Sequence, residues 1–379
     1  MNNIYRVKKL ENIGEIKVQV PGSKSITNRA LLLAAISGEK CRLRGVLFSD
    51  DSRAFLESLI GLGFQVDINE KEKEVTVRGT GGKIPDTHGK INVRSAGTAA
   101  RFLTVMLALA GGEYELAASP QMCRRPMEPL LHILQEAGVR FDFQGEEGHF
   151  PFSMSSPAGG FASKEKGEFS LAEVKIDTGV SSQFASALLM AGVLLPGGLT
   201  VTLEGARAES PYINMTIAMM KQFGIEVRRE GRSCHIPHKE IFGCKEYRIE
   251  PDVSGACYFY AMAPLLKTDV IVNNVHENSL QGDIRFLDVL ERMGCRREDT
   301  NEGIRISGSR LLGYPGIDVS MRDFSDQTMT LAALAPFAEG PVLIRDVGHI
   351  RLQESDRIAA ILTELGRMGI SCEEAPECG

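Results

Sequence analysis

The chain has 379 residues, of which 43% are hydrophobic, and its formal net charge is −6. This length exceeds that of one ordinary domain, and the acidic balance argues against a general nucleic-acid-binding protein. The sequence contains no apolar run near the roughly 20 residues of a membrane helix, no apolar signal stretch at its start and no Cys-x-x-Cys motif. We therefore expect a cytoplasmic, two-domain protein with reduced thiols.

The first elements alternate between strand and helix. Residues 16–20 alternate as a short strand that ends at Pro21-Gly22, a turn signal. A helix is predicted over 25–36, and a second helix follows Asp50-Asp51, which we expect to cap it. Residues 74–77 have the pattern of a returning strand. The first unit is therefore predicted to run strand, helix, strand, helix, strand, strand.

A pair of helix-like segments recurs five times, at intervals of about 70 to 85 residues. The first helix of each pair opens with small and polar residues, at Ser23, Ser95, Val180, Asp252 and Asp323. The second helix ends in a glycine and a short alternating run, at Gly63, Gly138, Gly224, Gly294 and Gly369. A repeat of this length is a complete supersecondary unit. Because helix N-termini attract anions, several such openings directed at one place would hold a highly phosphorylated or carboxylated ligand.

Residues 21–29, Pro-Gly-Ser-Lys-Ser-Ile-Thr-Asn-Arg, form the motif with the strongest chemical signal. A glycine turn exposes backbone N–H groups, two serines add hydroxyl donors, and Lys24 and Arg29 add positive charge near a helix start. The spacing is not that of a P-loop. The alternative interpretation is an N-capped surface helix that binds nothing.

Three later segments carry weaker signals for anion binding. The stretch 95–98 with Arg101 is a small-residue helix start, and 181–183 offers three neutral donors. Arg124-Arg125 precedes a helix and suits bidentate contacts to a carboxylate or phosphate. The alternatives are ordinary helix caps and a solvated basic loop.

Two carboxylates, Asp326 and Glu354, lie among basic residues. Positive neighbours favour the ionised forms, which are able to act as bases. The alternatives are an N-cap at Asp326 and, around Glu354, a solvated helix face with i,i+3 ion pairs. A zinc site at Cys234, His235, His238 and Cys244 is a further possibility, although the spacing matches no regular zinc finger.

Residues 21–35 resemble the signature of the 5-enolpyruvylshikimate-3-phosphate (EPSP) synthase family, and the resemblance covers essentially the whole chain. Further matches follow in the family's order: Ser-Asp-Asp (49–51), Ala-Gly-Thr-Ala-Ala-Arg-Phe (96–102), Arg-Arg-Pro-Met (124–127), Ser-Ser-Gln-Phe-Ala-Ser-Ala-Leu-Leu-Met (181–190), Pro-Tyr-Ile-Asn-Met-Thr (211–216), Gln-Gly-Asp (281–283), Ser-Asp-Gln-Thr-Met-Thr (325–330) and Glu-Ser-Asp-Arg-Ile (354–358). The resemblance implies an α/β fold, a two-domain inside-out α/β barrel of βαβαββ repeats with the sixth repeat incomplete. The second domain would span 21–245, and the first would combine 1–20 with 246–379.

The family's enzymes transfer the enolpyruvyl group of phosphoenolpyruvate to the 5-hydroxyl of shikimate 3-phosphate and release phosphate, a step of the shikimate pathway to chorismate and the aromatic amino acids. The resemblance implies neither a metal nor an organic cofactor. Residues implied for binding shikimate 3-phosphate are Lys24, Ser25, Arg29, Ser181, Ser182, Gln183 and Tyr212. Residues implied for phosphoenolpyruvate are Lys24, Gly97, Arg125 and Arg357.

The resemblance also implies the proton transfers. Asp326 would bind the substrate and take the proton of the 5-hydroxyl as general base. Glu354 would give a proton to the methylene carbon and then remove one, on either side of a tetrahedral intermediate. Lys24 would be the third catalytic residue, near the phosphoenolpyruvate. Gly97 implies sensitivity to the inhibitor glyphosate.

Several positions depart from the family pattern. Ser95 stands where Asn is common, and His349 stands where an Asn often contacts the shikimate phosphate. Gln353 replaces a usual lysine, and Glu209-Ser210 replaces Ser-Lys or Ser-Arg. We nevertheless predict that His349 and Gln353 bind substrate. The family continues past the equivalent of the chain's end with an Asp-His-Arg-Met-Ala-Met helix opening and a Lys-Thr-Phe-Pro segment, so we expect a truncated chain.

Three functions stay open at this point. The first is an EPSP synthase, expected to be a monomer without nucleic-acid or membrane partners. The second is a truncated homologue that binds shikimate 3-phosphate but is catalytically impaired. The third is the sister enolpyruvyl transferase acting on a UDP-sugar, which would need a different N-terminal lysine motif and a loop cysteine nucleophile.

Overall fold

The structure is a computed structural model that describes residues 13–156, 171–179, 181–205, 208–353 and 355–375. Contacts between residues divide the chain into two compact units. The continuous unit comprises residues 21–250, and the discontinuous unit comprises residues 1–20 and 251–379. None of the helices in the described ranges combines the length and the apolarity needed to cross a membrane.

The discontinuous unit begins with one short strand, β1 (Ile16–Val18). The helices of the continuous unit are α1 (Lys24–Ile36), α2 (Asp50–Gly61), α3 (Gly97–Ala110), α4 (Pro120–Cys123), α5 (Glu128–Glu136), α6 (Ser182–Gly192) and α7 (Pro211–Gln222). Its strands are β2 (Lys40–Arg44), β3 (Val66–Asn69), β4 (Glu74–Arg78), β5 (His88–Asn92), β6 (Gly112–Ala117), β7 (Arg140–Phe143), β8 (Phe152–Ser156), β9 (Glu173–Asp177), β10 (Leu199–Glu204), β11 (Arg228–Glu230), β12 (Ser233–Ile236) and β13 (Glu246–Arg248).

The rest of the discontinuous unit follows the same alternation. Its helices are α8 (Val253–Tyr260), α9 (Met262–Leu266), α10 (Phe286–Arg292), α11 (Thr328–Leu334) and α12 (Arg357–Arg367). Its remaining strands are β14 (Asp269–Val272), β15 (Arg296–Thr300), β16 (Gly303–Ser307), β17 (Asp318–Ser320) and β18 (Leu343–Arg345). Short 3-10 helices span Gly282–Arg285, Arg322–Gln327, Ala335–Phe337 and Gly348–Leu352.

The sheets repeat one plan. The continuous unit has the strand orders β13-β2-β4-β3, β5-β6-β8-β7 and β9-β10-β12-β11, and the discontinuous unit has β1-β14-β16-β15 and β17-β18. In each four-stranded sheet the first two strands are parallel and the other pairs are antiparallel. The run β9–β12 shows the predicted order of strand, helix, strand, helix, strand, strand, and the run β5–β8 adds the short helix α4 before α5.

The strand β1 has a different partner from the one that its place in the sequence suggested. It pairs with β14 in the discontinuous unit, and β13 occupies the corresponding edge beside β2. Val20 is buried in the core of the discontinuous unit, and Val18 packs against the same core. Alternating residues specify which face of a strand is buried, but they do not specify the neighbouring strand.

The five glycine endings share one geometry. All five glycines have positive φ, between 77° and 101°. The residue after each glycine donates its N–H to the carbonyl five positions earlier, over 2.8–3.0 Å. These pairs are Phe64 with Leu59, Val139 with Leu134, Ile225 with Met220, Cys295 with Leu290 and Ile370 with Leu365. Glycine adopts this left-handed conformation without a steric penalty, so the same helix stop is built five times.

The N-cap of α2 was predicted wrongly. Ser49, not Asp50 or Asp51, caps the helix, because its Oγ accepts a hydrogen bond from the N–H of Ser52 at 3.3 Å. The Ser52 hydroxyl accepts in return from the N–H of Ser49 at 2.8 Å. Asp50 and Asp51 occupy the first turn, where carboxylates interact favourably with the positive end of the helix.

Candidate functional site

The N-terminal halves of four helices of the continuous unit meet around Arg29, which is 1% exposed. Its Nε donates to Thr216 Oγ1 of α7 at 2.8 Å, and its Nη2 donates to Ser186 Oγ of α6 at 3.2 Å. The guanidinium carbon lies 5.4 Å from the centre of the Phe102 ring of α3 and 5.8 Å from that of Tyr212. A single side chain of α1 therefore ties together α3, α6 and α7.

The charge of Arg29 has no described carboxylate to balance it. Its remaining protein acceptors are the carbonyls of Ser25 at 3.0 Å and Tyr212 at 3.5 Å, which are neutral like the two hydroxyls. Burial lowers the pKa of Arg29 to about 10, which still leaves the guanidinium charged at neutral pH. A guanidinium has five N–H donors, and the four bonds to Ser25, Ser186, Tyr212 and Thr216 use four of them. One donor and one buried charge are left for an anion.

The start of α1 excludes the surface-helix interpretation of residues 21–29. The helix is buried from Ile26 to Ile36, and the Ser23 side chain makes no capping hydrogen bond. Ser23 donates its backbone N–H to Glu250 O at 2.8 Å instead. Lys24 is the first residue of the helix, and its Nζ lies 3.4 Å from Asp51 Oδ2 with 49% of the side chain exposed. Lys24 therefore presents a reachable positive charge at a helix N-terminus.

Two arginines crowd the first turn of α3. A Cβ atom built on Gly97 would lie 2.7 Å from Arg125 Nη1 and 2.8 Å from Arg101 Nη1. Only glycine leaves room for both guanidiniums at this backbone. Asn28 Nδ2 donates to Thr98 Oγ1 at 2.5 Å, which joins this turn to α1. The structure thus brings Gly97 and Arg125 together, as the resemblance implied.

The first turn of α6 carries the predicted neutral donors. Ser181 is the N-cap, and its Oγ accepts from the N–H of Gln183 at 3.2 Å. Ser182 is 5% exposed. The buried Oε1 of Gln183 has no partner among the described residues. A buried acceptor without a partner is rare, so this oxygen is a candidate for a hydrogen bond to a ligand.

Two candidates of the discontinuous unit, Arg357 and His349, lie beside Asp326 and its neighbour Ser325. Arg357, the first residue of α12, donates from Nη1 to Asp326 Oδ1 at 2.7 Å. His349 Nε2 and Ser325 Oγ share a hydrogen bond of 2.8 Å. The Oε1 of Gln353 is buried and has no described partner. Glu354, the predicted proton donor, lies outside the described residues, as does Val180 of the third helix opening.

The N-cap alternative for Asp326 does not agree with the local structure. Asp326 lies inside a 3-10 helix, and α11 starts two residues later with Gln327 as its N-cap. On either side of Glu354, which lies outside the described residues, a 3-10 helix ends at 352 and α12 begins at Arg357. Asp356 caps α12 by accepting from the N–H of Ala359 at 3.0 Å.

Asp283 belongs to this cluster, although sequence reasoning assigned it no role. The carboxyl group is 5% exposed and accepts hydrogen bonds from Ser254 Oγ and from Gln327. Burial, and then the charge of Asp326, raise the pKa of Asp283 to about 7 against those hydrogen bonds. The signal in the sequence was an acidic residue directly before the apolar run of Ile284, Phe286 and Leu287, which are partly or fully buried.

The proposed zinc ligands point to different partners. His238 Nδ1 lies 3.2 Å from Val193 O, and Cys244 Sγ lies 3.6 Å from Cys41 Sγ. Within the described ranges, no group of three or more His, Cys, Asp or Glu side chains is arranged to hold a metal ion. The zinc alternative therefore has no support in the described part of the chain.

Comparison with known proteins identifies relatives along nearly the whole chain. The family model of EPSP synthase (3-phosphoshikimate 1-carboxyvinyltransferase) matches residues 10–378. The 3-phosphoshikimate 1-carboxyvinyltransferase of Trichormus variabilis is 39% identical over 358 residues, which cover 94% of this chain and 81% of that protein. The enzyme of the same name from Nostoc punctiforme is 40% identical over 361 residues, covering 95% and 82%.

Solved structures share the fold. The EPSP synthase from Acinetobacter baumannii superposes with a TM-score of 0.74 at 25% identity, over 96% of this chain and 80% of that one. The enolpyruvyl transferase NikO from Streptomyces tendae, at 15% identity, has a TM-score of 0.63 over 88% and 75%. These likenesses confirm the predicted two-domain α/β fold class.

Proposed function

The chain belongs to the EPSP synthase family, and we propose that it transfers the enolpyruvyl group of phosphoenolpyruvate to the 5-hydroxyl of shikimate 3-phosphate, releasing phosphate. The reaction is a transferase step of the shikimate pathway, on the route to chorismate and the aromatic amino acids. Both substrates carry a phosphate and a carboxylate, so a protein that binds them needs buried positive charge and oriented N–H donors.

The charge of Arg29, which no carboxylate among the described residues balances, carries this proposal. We assign Lys24, Ser25 and Arg29 to the phosphate and carboxylate of shikimate 3-phosphate, because Arg29 keeps one donor and its full charge at this place. Ser181, Ser182, Gln183 and Tyr212 are assigned to the phosphate and ring hydroxyls. The unfilled Oε1 of Gln183 supports that assignment.

Phosphoenolpyruvate is assigned to Lys24, Gly97, Arg125 and Arg357. Gly97 lets the Arg125 guanidinium approach the first turn of α3, so backbone N–H groups and a cation face the same space. Arg357 is held at 2.7 Å from Asp326. A phosphoenolpyruvate carboxylate would compete for that guanidinium and leave Asp326 able to accept a proton.

The proton transfers are assigned to Asp326 and Glu354. Asp326 takes the proton of the 5-hydroxyl while the hydroxyl oxygen forms a bond to C2 of phosphoenolpyruvate. Glu354 protonates the methylene carbon of phosphoenolpyruvate. The tetrahedral intermediate then loses phosphate from C2 while Glu354 removes a proton from the new methyl group, which restores the enol ether. General acid–base catalysis of this kind contributes about 10²- to 10⁴-fold each.

His349 and Gln353 are assigned to substrate binding on positional grounds. The hydrogen bond between His349 and Ser325 fixes the ring beside Asp326, and the buried Oε1 of Gln353 has no described partner. We further propose that the protein acts as a monomer. Light scattering at a mass near the 41.4 kDa of the chain would support this, whereas a doubled mass would overturn it.

Product identification by mass spectrometry tests the proposed reaction. Incubation with shikimate 3-phosphate and phosphoenolpyruvate should yield 5-enolpyruvylshikimate 3-phosphate, and replacing the first substrate with UDP-N-acetylglucosamine should yield no enolpyruvyl product. Calorimetric binding of shikimate 3-phosphate without any product would favour the binding-only homologue. An enolpyruvyl UDP-sugar would instead place the chain with the sister transferase.

A further inference from the structure

Two cysteines that are 203 positions apart in the sequence touch in the continuous unit, with their Sγ atoms 3.6 Å apart. Cys41 lies in β2 and is completely buried, while Cys244, two residues before β13, is partly exposed. We propose that Cys41 and Cys244 form a redox-active thiol pair, which peroxides oxidise to a disulfide that fastens the segment before β13 to β2. Neither residue takes part in the proposed transferase chemistry.

Backbone contacts hold the two thiols in register. Gly38 donates its N–H to Phe242 O at 3.1 Å on one side of the pair, and Arg42 donates to Lys245 O at 2.9 Å on the other. A Cβ on Gly243 would lie 2.9 Å from Glu39 Cβ, so the two segments approach closely there. Because a disulfide has an S–S length of about 2.0 Å, the sulfur atoms need to close roughly 1.5 Å, which side-chain rotation supplies.

The two thiols have different roles. A hydrogen bond from Cys41 lowers the pKa of Cys244, so Cys244 forms a thiolate more readily than an ordinary cysteine. The same hydrogen bond, together with burial, raises the pKa of Cys41. Cys244 is therefore the attacking thiol, since it is also the exposed member, and Cys41 is the resolving thiol.

Oxidation proceeds in two balanced steps. The Cys244 thiolate attacks one oxygen of hydrogen peroxide, the O–O bond breaks, and hydroxide leaves as Cys244 becomes a sulfenic acid. The Cys41 thiol then attacks the Cys244 sulfur, and the S–S bond forms as water leaves. A dithiol reductant returns both thiols through a mixed disulfide.

The other described cysteines lack such a partner. Cys123 and Cys372 contact backbone carbonyls at 3.8 Å, and Cys257 contacts Asp283 O at 3.5 Å. Among the described cysteines, Cys41 and Cys244 are the pair whose sulfur atoms meet. The exposed Cys372 is therefore a suitable control, because it is more accessible than Cys244 but has no described thiol beside it.

Peptide mapping of the full chain without reduction tests the proposal. The protein is treated with hydrogen peroxide and digested with a protease other than trypsin, because Lys40 and Arg42 flank Cys41. A cross-linked peptide pair containing Cys41 and Cys244 is expected, and dithiothreitol should separate it. The cross-link should be absent from C41S and C244S and present in C372S, and phosphate release before peroxide treatment should be equal in all four proteins.

Two further measurements, the melting temperature of the wild type and the alkylation rate of Cys244, do not depend on the folding of C41S. The melting temperature of the wild type should rise by several degrees on oxidation, because the new bond closes a loop of about 200 residues in the unfolded chain. Alkylation of Cys244 by iodoacetamide at pH 7 should be several-fold slower in C41A, which lacks the hydrogen bond. Conversion of wild-type Cys244 to sulfinic acid without any cross-link to Cys41 would overturn the proposal, as would unchanged alkylation in C41A.

Discussion

Replacing Arg29 by Gln tests whether the four-helix meeting point binds shikimate 3-phosphate. Burial lowers the pKa of Arg29 to about 10, and at about 1.4 kcal/mol per unit the charged form is penalised by about 3 kcal/mol. An anion that binds here relieves this penalty and receives a charge-assisted hydrogen bond, worth about 1.5–3 kcal/mol. Arg29→Gln should therefore raise the dissociation constant for shikimate 3-phosphate by about 10- to 150-fold.

Isothermal titration calorimetry measures this change, and circular dichroism checks that the variant is folded. Arg29→Lys should bind with intermediate affinity, because it keeps the charge but cannot reach all of the hydroxyl and carbonyl acceptors. Arg53→Gln is the control, since Arg53 pairs with Glu70 at 2.6 Å on the surface of α2, and its affinity should match the wild type. A folded Arg29→Gln protein with wild-type affinity would refute the reasoning.

Three further substitutions give separable results. Asp326→Asn should lower kcat by about 10²- to 10⁴-fold while calorimetry shows unchanged shikimate 3-phosphate binding, and a normal kcat would exclude Asp326 as the base. Gly97→Ala places a Cβ 2.7 Å from Arg125 Nη1. It should raise both the KM for phosphoenolpyruvate and the inhibitory concentration of glyphosate by about tenfold or more, and unchanged values would contradict the assignment. Asp283→Asn should be more stable than the wild type at pH 8 but not at pH 4 in urea unfolding, and parallel stability curves would disprove this.

The sign of the Asp283 effect follows from its pKa, which rises from 3.8 to about 7 on folding. The folded protein binds a proton more tightly than the unfolded chain, so this group stabilises the fold fully below pH 4. That contribution is lost as the pH rises to about 7. At about 1.4 kcal/mol per unit, the gain from Asn at pH 8 is at most about 4 kcal/mol.

Short sequence patterns predicted the parts of the fold that depend on residues close together in the sequence. Gly63, Gly138 and the three later glycine endings were identified because a helix stop with positive φ needs glycine wherever it occurs. The first helix was predicted over 25–36 and is found at Lys24–Ile36, since its start follows a Pro-Gly turn. The predicted N-cap of α2 was wrong because serine and aspartate are both favourable N-cap residues. Only the hydrogen bond from Ser52 to Ser49 shows which residue caps the helix.

Residue patterns alone did not predict contacts between distant residues, although the resemblance implied that residues 1–20 share a domain with 246–379. The pairing of β1 with β14, the Thr216 and Ser186 partners of Arg29 and the burial of Asp283 beside Asp326 all join segments far apart in the chain. Family resemblance indicated the candidate site residues. It indicated neither that Arg29 lacks a carboxylate partner among the described residues nor that Cys41 contacts Cys244. The domain boundaries and the role of Glu354 stay predictions.

Initial rates of phosphate release test the central claim most directly. The purified chain is given shikimate 3-phosphate alone, phosphoenolpyruvate alone, or both, and free phosphate is followed over time. An EPSP synthase should release phosphate at a saturable rate only when both substrates are present. Release from phosphoenolpyruvate alone at the same rate, or no release with both substrates at high enzyme concentration, would contradict the account.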